Sequence, residues 1–245
     1  MSDGIYAALS GAIAQQRALD VVANNIANVN TPGYRADSVA FREAVSREQG
    51  GPAPDGLRYV SVGRMRTDTT SGPLTDTGNP LDIALQGEGM LAVRTPNGVR
   101  YTRAGSLVMD AEGHIRTRAG HAVLTWSSEQ PELVVPAQTA SLQIDAQGNV
   151  SADGQPIARL RIEEFADGTL AKEGLTLFVP PSGARGAEAR QTSVYQGQLE
   201  GANVSPIAGM NDLISANRAF EAFQRVIQAF RQIDERAARD VASTG

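Results

Sequence analysis

Gly87, Gly89 and Ala92 stand at the G-x-G-x-x-A spacing of a dinucleotide-binding turn, and Asp110 lies near the distance where an acid would hold a ribose. Such a turn works only by opening a helix whose N-terminus receives the pyrophosphate. Here only Met90 to Arg94 intervene before Thr95-Pro96-Asn97-Gly98, too short for that helix, so a tight β-turn accounts for the glycines. His114 and His121 could ligate a metal, but across an expected hairpin they supply two ligands at most, with no further His and no Cys. Glu163 and Glu164 are adjacent on an expected strand; they point to opposite faces and cannot serve as paired acid and base. Asp110-Ala-Glu-Gly113 and Asp145-Ala-Gln-Gly148 lack the alternating oxygen ligands of a calcium loop and read as plain β-turns. With no Gly-x-Ser-x-Gly elbow, Walker motif or triad ordering, the reading is of a protein that is not an enzyme, with no catalytic residue, no metal and no cofactor.

Composition points the same way. The 245 residues allow one large domain or two small ones. The absence of cysteine removes disulfides, thiolate catalysis and Cys-type metal sites together. A formal charge of -5, with basic residues spread thinly, argues against nucleic acid as a partner. No stretch of 18 apolar residues suggests a membrane span, and the start of the chain lacks the basic region of a cleavable secretory signal. Aromatics make up only 5%, while 25 Gly and 12 Pro punctuate the middle, which favours short strands and many turns.

The elements that frame these residues are of two kinds. From 2 to 29, Ile5, Leu9, Ala12, Gln16, Leu19, Val22, Ile26 and Val29 recur at steps of 3 or 4, predicting one amphipathic helix that stops before Asn30-Thr31-Pro32-Gly33. From Pro206 to Val241, Leu213, Ala216, Ala219, Phe223, Val226, Phe230, Ile233 and Ala237 repeat the pattern, widened by Phe220 and Ile227, with Ser205 as N-cap and Pro206 at the first helical position. Between them lie hairpins around 95–98, 110–113 and 145–148, the last two sharing the phrase Asp-Ala-x-Gly. A further pair is expected from Leu160–Phe165 turning at Asp167-Gly168 into Leu175–Val179, and 46–58 reads as a linker. The fold class is therefore mainly β with long terminal α-helices that pair as a coiled-coil-like domain. The boundaries are 1–35 with 200–245 for the helices, 36–74 for a linker or extended region, and 75–195 for the inserted all-β domain. On periodicity alone the helices pack either on each other or mainly on further copies. Asn24, Asn25 and Asn28, placed within one helical turn where propensity disfavours them, lean towards crowded contacts with copies.

LDVVANNIANVNTPGY, residues 19–34, resembles the N-terminal signature of the flagellar rod, hook and hook-associated axial proteins. GPLTDTGNPLDIALQGEGMLAV, residues 72–93, looks like the start of that family's β domain, and Tyr101-Thr102-Arg103-Ala104-Gly105-Ser106 like a family phrase, with Leu107 where an aromatic is common. GANVSPIAGMNDLISANRAFEAFQRVI, residues 201–227, resembles the family's C-terminal helix. The resemblance implies a non-catalytic subunit of the bacterial flagellar basal body whose terminal helices form the inner tube of a helical polymer. It also implies passage, unfolded and without cleavage, through the flagellar type III export apparatus to a periplasmic rod. Its partners would be copies of itself and other rod proteins. Length, Gly4-Ile5-Tyr6 and Asp234-Glu235-Arg236 favour a proximal-rod member over a distal-rod one.

A filament of heterologous contacts needs donor and acceptor surfaces on different faces, and the helical stripes offer both. The expected interface is Leu9, Leu19, Val22, Asn25, Ile26 and Asn28 on the first helix and Phe220, Phe223, Ile227 and Phe230 on the second, with the helices ordering as neighbours dock. The rival reading is a secreted β-domain binding module on a helical stalk, which would need an aromatic platform built from Trp126, Tyr101 and Phe165, with Phe178 and Tyr195 nearby.

Overall fold

The computed structural model describes residues 2–46, 57–136, 138–166, 168–181, 184 and 186–243. Most of the segment read as a linker, residues 47–56, lies outside them. The chain divides into two compact units, one of Met1–Ala27, Asp37–Arg66 and Ser205–Gly245, the other of Asn28–Ala36 and Thr67–Val204.

The first unit carries helix α1 (Ser2–Ala27), strands β1 (Asp37–Ser46) and β2 (Leu57–Thr67), and helix α2 (Pro206–Ser243). The helices contact each other within one chain, so an intramolecular partner covers part of each apolar stripe. α1 ends two residues before the expected Val29, because Asn28 leaves the helix and its carbonyl accepts from Thr31 N at 3.0 Å. Tyr34 N then donates to Thr31 O, and Gly33 takes φ 71°, a left-handed conformation suited to glycine. α2 begins where expected: Ser205 O accepts from Gly209 N at 2.9 Å and Ser205 Oγ from Ala208 N at 3.4 Å. The stretch 36–74, expected to be linker or extended, holds β1 and β2, which pair with each other as a two-stranded sheet.

The second unit is built from β3 (Leu74–Asp76), β4 (Ile83–Gln86), β5 (Met90–Thr95), β6 (Gly98–Thr102), β7 (Leu107–Met109), β8 (Ile115–Thr117), β9 (Ala122–Val123), β10 (Leu142–Ile144), β11 (Asn149–Ala152) and β12 (Gln155–Arg159). It continues with β13 (Ile162–Glu164), β14 (Ala171–Glu173), β15 (Leu177–Val179), β16 (Ala187–Glu188), β17 (Ser193–Gln196) and β18 (Gln198–Glu200). The main sheet runs β14-β15-β6-β5-β9-β8-β7, with β5 near its centre. Alternation puts Leu91 and Val93 of β5 into one apolar cluster, with Ile83, Ile115, Val123, Leu133, Val150 and Leu160, and Met90 and Ala92 into another, with Tyr101, Leu124 and Phe178. A strand buried on both faces has no polar side, which is why 90–93 reads as a continuous apolar run.

The two Asp-Ala-x-Gly hairpins share one register: Leu107, Val108 and Met109 face Thr117, Arg116 and Ile115, as Leu142, Gln143 and Ile144 face Ala152, Ser151 and Val150. In each, the aspartate folds back on its own turn. Asp110 Oδ1 accepts from His114 N at 2.7 Å, and Asp145 Oδ1 from Asn149 N at 2.8 Å. The Arg116 guanidinium, 2.6 Å away, holds the Asp110 carboxyl below the usual carboxylate range. The expected pairing of 160–165 with 175–179 does not form. Gly174, at φ 70°, turns β14 into β15, while β13 pairs with β5 and β16. β15 has β14 on one edge, joined to it by this glycine turn, and β6 on the other, which leaves no edge for β13.

Candidate assembly interface

Small residues bring α1 and α2 close. A Cβ at Gly11 would lie 2.5 Å from the Phe223 ring, one at Gly4 2.7 Å from the Phe230 ring, and one at Gly209 2.9 Å from Ile26. Early positions of α1 thus meet late positions of α2, and the helices run antiparallel. Gly4 and Gly11 are seven residues apart, as are Phe223 and Phe230, so each ring drops into a notch two turns from the next. Two of the expected interface aromatics therefore fill contacts inside their own chain.

The other expected residues fall into three environments. Leu9 is exposed, while Leu19, Val22, Ile26, Phe220 and Ile227 are half-buried along the helices. Asn25 turns to its own hairpin: its Nδ2 donates to Asp37 O at 2.8 Å and its Oδ1 accepts from Asp37 N at 3.0 Å. Asn28 is buried in the turn after α1 and accepts from the Thr31 hydroxyl at 3.2 Å. Asn25 and Asn28 thus do not share a helical surface, and the amide of Asn25 is satisfied within the chain.

A second set of apolar side chains faces outward. Tyr6, Leu9 and Ile13 form a stripe on α1, and Ile207, Met210 and Ile214 one on α2, with Ile207 76% exposed. The signal for them lay in the sequence one position beside the first stripe: a helix apolar at 5, 9 and 12 and also at 6, 9 and 13 has more apolar surface than one partner covers.

Within the β unit, charged residues meet where reading by spacing finds no site. Glu200 is fully buried, its Oε1 accepting from Arg35 Nη2 at 2.7 Å and Gly72 N at 3.0 Å, and its Oε2 from Arg103 Nη1 at 3.3 Å. Arg103 also donates to Leu85 O and Gly87 O. Burial pulls its guanidinium below the ordinary value, and Glu200 partly offsets this. Lys172 Nζ donates to Arg35 O at 2.7 Å and lies 4.0 Å from the centre of the buried Tyr34 ring.

The groups weighed for chemistry are structural. Gly87 and Gly89 turn between β4 and β5 with no helix following. His114 Nδ1 approaches Glu132 at 3.5 Å, and among the described residues no group of three or more metal-ligating side chains gathers. Glu163 is buried, accepting from Tyr101 Oη at 2.8 Å and Gly186 N at 3.1 Å and pairing with Arg161, while Glu164 is half-buried. The aromatic platform of the binding-module reading does not assemble, since Tyr101 and Phe178 are buried and Phe165 packs edge-on to Tyr101. No described helix is long and apolar enough to cross a membrane.

Three family models match in chain order: flagella basal body rod protein over residues 5–35, the flagellar hook protein FlgE/F/G D1 domain over 84–152, and the flagellar basal body rod FlgEFG protein C-terminal region over 195–240. The chain is 30% identical to the flagellar basal-body rod protein FlgF of Mesorhizobium japonicum, covering 99% of both chains. It is 34% identical to FlgF of Escherichia coli, over 98% of this chain and 97% of the relative. It is 33% identical to FlgG of Agrobacterium fabrum, over 90% and 92%. With its helix pair, its inserted β unit and this likeness along nearly its whole length, the chain belongs to the flagellar basal-body rod protein family, whose members are structural subunits and not enzymes.

Proposed function

We propose that this chain is a FlgF-like subunit of the proximal rod that polymerises through its terminal helices with copies of itself and other rod proteins. The observation that carries this reading is the division of labour on the helices. Phe223 and Phe230 close the pair over Gly11 and Gly4, while Tyr6, Leu9, Ile13, Ile207, Met210 and Ile214 remain outward. The seven-residue spacing of the notches supports a coiled-coil-like pair. The two outward stripes lie towards opposite ends of that antiparallel pair, because Gly209, next to Ile207, meets Ile26, far along α1 from Leu9. Separate stripes of this kind suit a head-to-tail contact that does not close on itself.

Leu9, Leu19, Val22, Phe220 and Ile227 retain a direct intersubunit role in this reading. Ile26, Phe223 and Phe230 act by setting the helix pair, Asn25 by holding the start of β1, and Asn28 by shaping the turn after α1. The helical parts at 1–35 and 200–245 supply the inner tube, with 75–195 carried on it. The chain would reach the periplasm through the flagellar type III export apparatus without a cleaved signal. No cofactor takes part.

The test is Ile207→Asp and Leu9→Asp in a strain lacking the native gene. A charge in an intersubunit apolar seam blocks docking, so subunits should be exported but basal bodies should lack complete rods. Normal motility in both variants would remove these stripes from the interface. A distal-rod, FlgG-like role is the second reading, favoured by the 33% identity to FlgG; it predicts that the variants spare the proximal rod and stop growth beyond it.

A further inference from the structure

The three signature phrases come to one place inside the β unit. Arg35 follows Tyr34 of the first, Arg103 ends the Tyr-Thr-Arg of the second, and Glu200 precedes the Gly-Ala-Asn-Val of the third. Around this carboxylate the backbones are fastened directly. Gly33 N donates to Glu200 O at 2.8 Å and Gly201 N to Pro73 O at 2.8 Å. A Cβ at Gly33 would fall on the backbone of Arg103 and Ala104, and one at Gly72 on the carbonyl of Gly201. Asn203 completes the ring: its Oδ1 accepts from Ala36 N at 2.7 Å, and its Nδ2 donates to Asp68 O at 3.0 Å and Thr70 O at 3.1 Å.

A buried carboxylate between two guanidiniums is a poor source of stability, because desolvation offsets most of the attraction and apolar replacements often do as well. Its value is geometric, since Arg35 holds one carboxylate oxygen and Arg103 the other, so the carboxylate is fixed from two sides. The segments so fixed, 31–36, 68–73 and 200–204, are those by which the chain enters and leaves the β unit, whose edges fall at residues 28, 36, 67 and 204. We propose that Glu200, gripped by Arg35 and Arg103, is the positioning centre of a collar that stiffens these segments so that an assembled rod resists twisting. This rests on the rod-subunit reading above.

The experiment compares the full chain with Glu200→Gln, which keeps the size and removes the charge. Hydrogen exchange read by mass spectrometry should speed about tenfold or more in peptides covering 31–36, 68–73 and 200–204 while β5 and β11 are unchanged, since the loss is local and charge-assisted. Cells carrying the variant should build rods in normal number, yet lose swimming speed more steeply than wild type as the medium is thickened. Unchanged exchange in the collar overturns the proposal, as does faster exchange with a wild-type dependence of speed on viscosity. Should Glu200→Gln not fold, Arg103→Lys, which keeps the charge but cannot reach Glu200, Leu85 O and Gly87 O together, carries the same prediction. Failure of the rod reading shows separately: deleting the gene would then leave rods and swimming intact, whatever the collar's exchange.

Discussion

Gly11→Ala sets two opposing terms against each other. In the middle of a helix, Ala is favoured over Gly by about 1 kcal/mol. At this position the new methyl would lie 2.5 Å and 2.6 Å from two atoms of the Phe223 ring, so the ring must move by about 1 Å out of its notch. Overpacking of this kind costs about 1–3 kcal/mol, which outweighs the propensity gain, and the net expectation is destabilisation of the helix pair by about 1 kcal/mol. Removing the ring removes the penalty and leaves the gain. In a Phe223→Ala background the same Gly11→Ala should therefore stabilise the helices by about 1 kcal/mol, a reversal of sign and a coupling of about 2 kcal/mol. Urea unfolding of the full chain followed by circular dichroism at 222 nm reads the helices above the β unit's weaker signal and yields all four corners of the cycle. Equal stabilisation by Gly11→Ala in both backgrounds would refute the notch and, with it, the antiparallel register built on it.

Asn25→Ala gains helix propensity but strips both backbone groups of Asp37 of their partner; the loss, about 1–3 kcal/mol, should win, and faster amide exchange in β1 with unchanged exchange in β5 would show it. Burial, followed by the hydrogen bond to Glu163, raises the Tyr101 phenol above its ordinary value. A raised folded value means this contribution to stability is complete below about pH 10 and is lost as pH rises beyond it. Alkaline titration followed at 295 nm should accordingly show Tyr101→Phe missing a phenolate that in wild type appears only with unfolding; an ordinary early titration of that group would contradict the burial.

The terminal helices were legible because a period near 3.6 survives whatever they pack against, and Ser205-Pro206 and Thr31-Pro32-Gly33 mark two of their ends. The Asp-Ala-x-Gly hairpins were legible for the same local reason, since the aspartate caps its own turn. β1 and β2 were not: Gly50-Gly51-Pro52 between them signals a loop, and a strand pair outside a larger sheet shows no long apolar face. The collar was beyond local reasoning altogether. Arg35 and Glu200 are 165 residues apart and Arg103 and Glu200 are 97 apart, and an isolated charged residue defaults to solvent unless its partner is known. The intrachain contacts of Phe223 and Phe230 are not legible from spacing, because Gly4 and Gly11 look like weak helix positions until a ring is seen above them.

The outward helical stripes are tested most directly by placing a photo-cross-linking amino acid at Ile13 or Met210, both exposed in the single chain, and irradiating isolated basal bodies. Terminal-helix polymerisation predicts adducts at both positions with a second copy of this chain or another rod protein. Complete rods that carry the probe at both positions and yield no intermolecular adduct would contradict it.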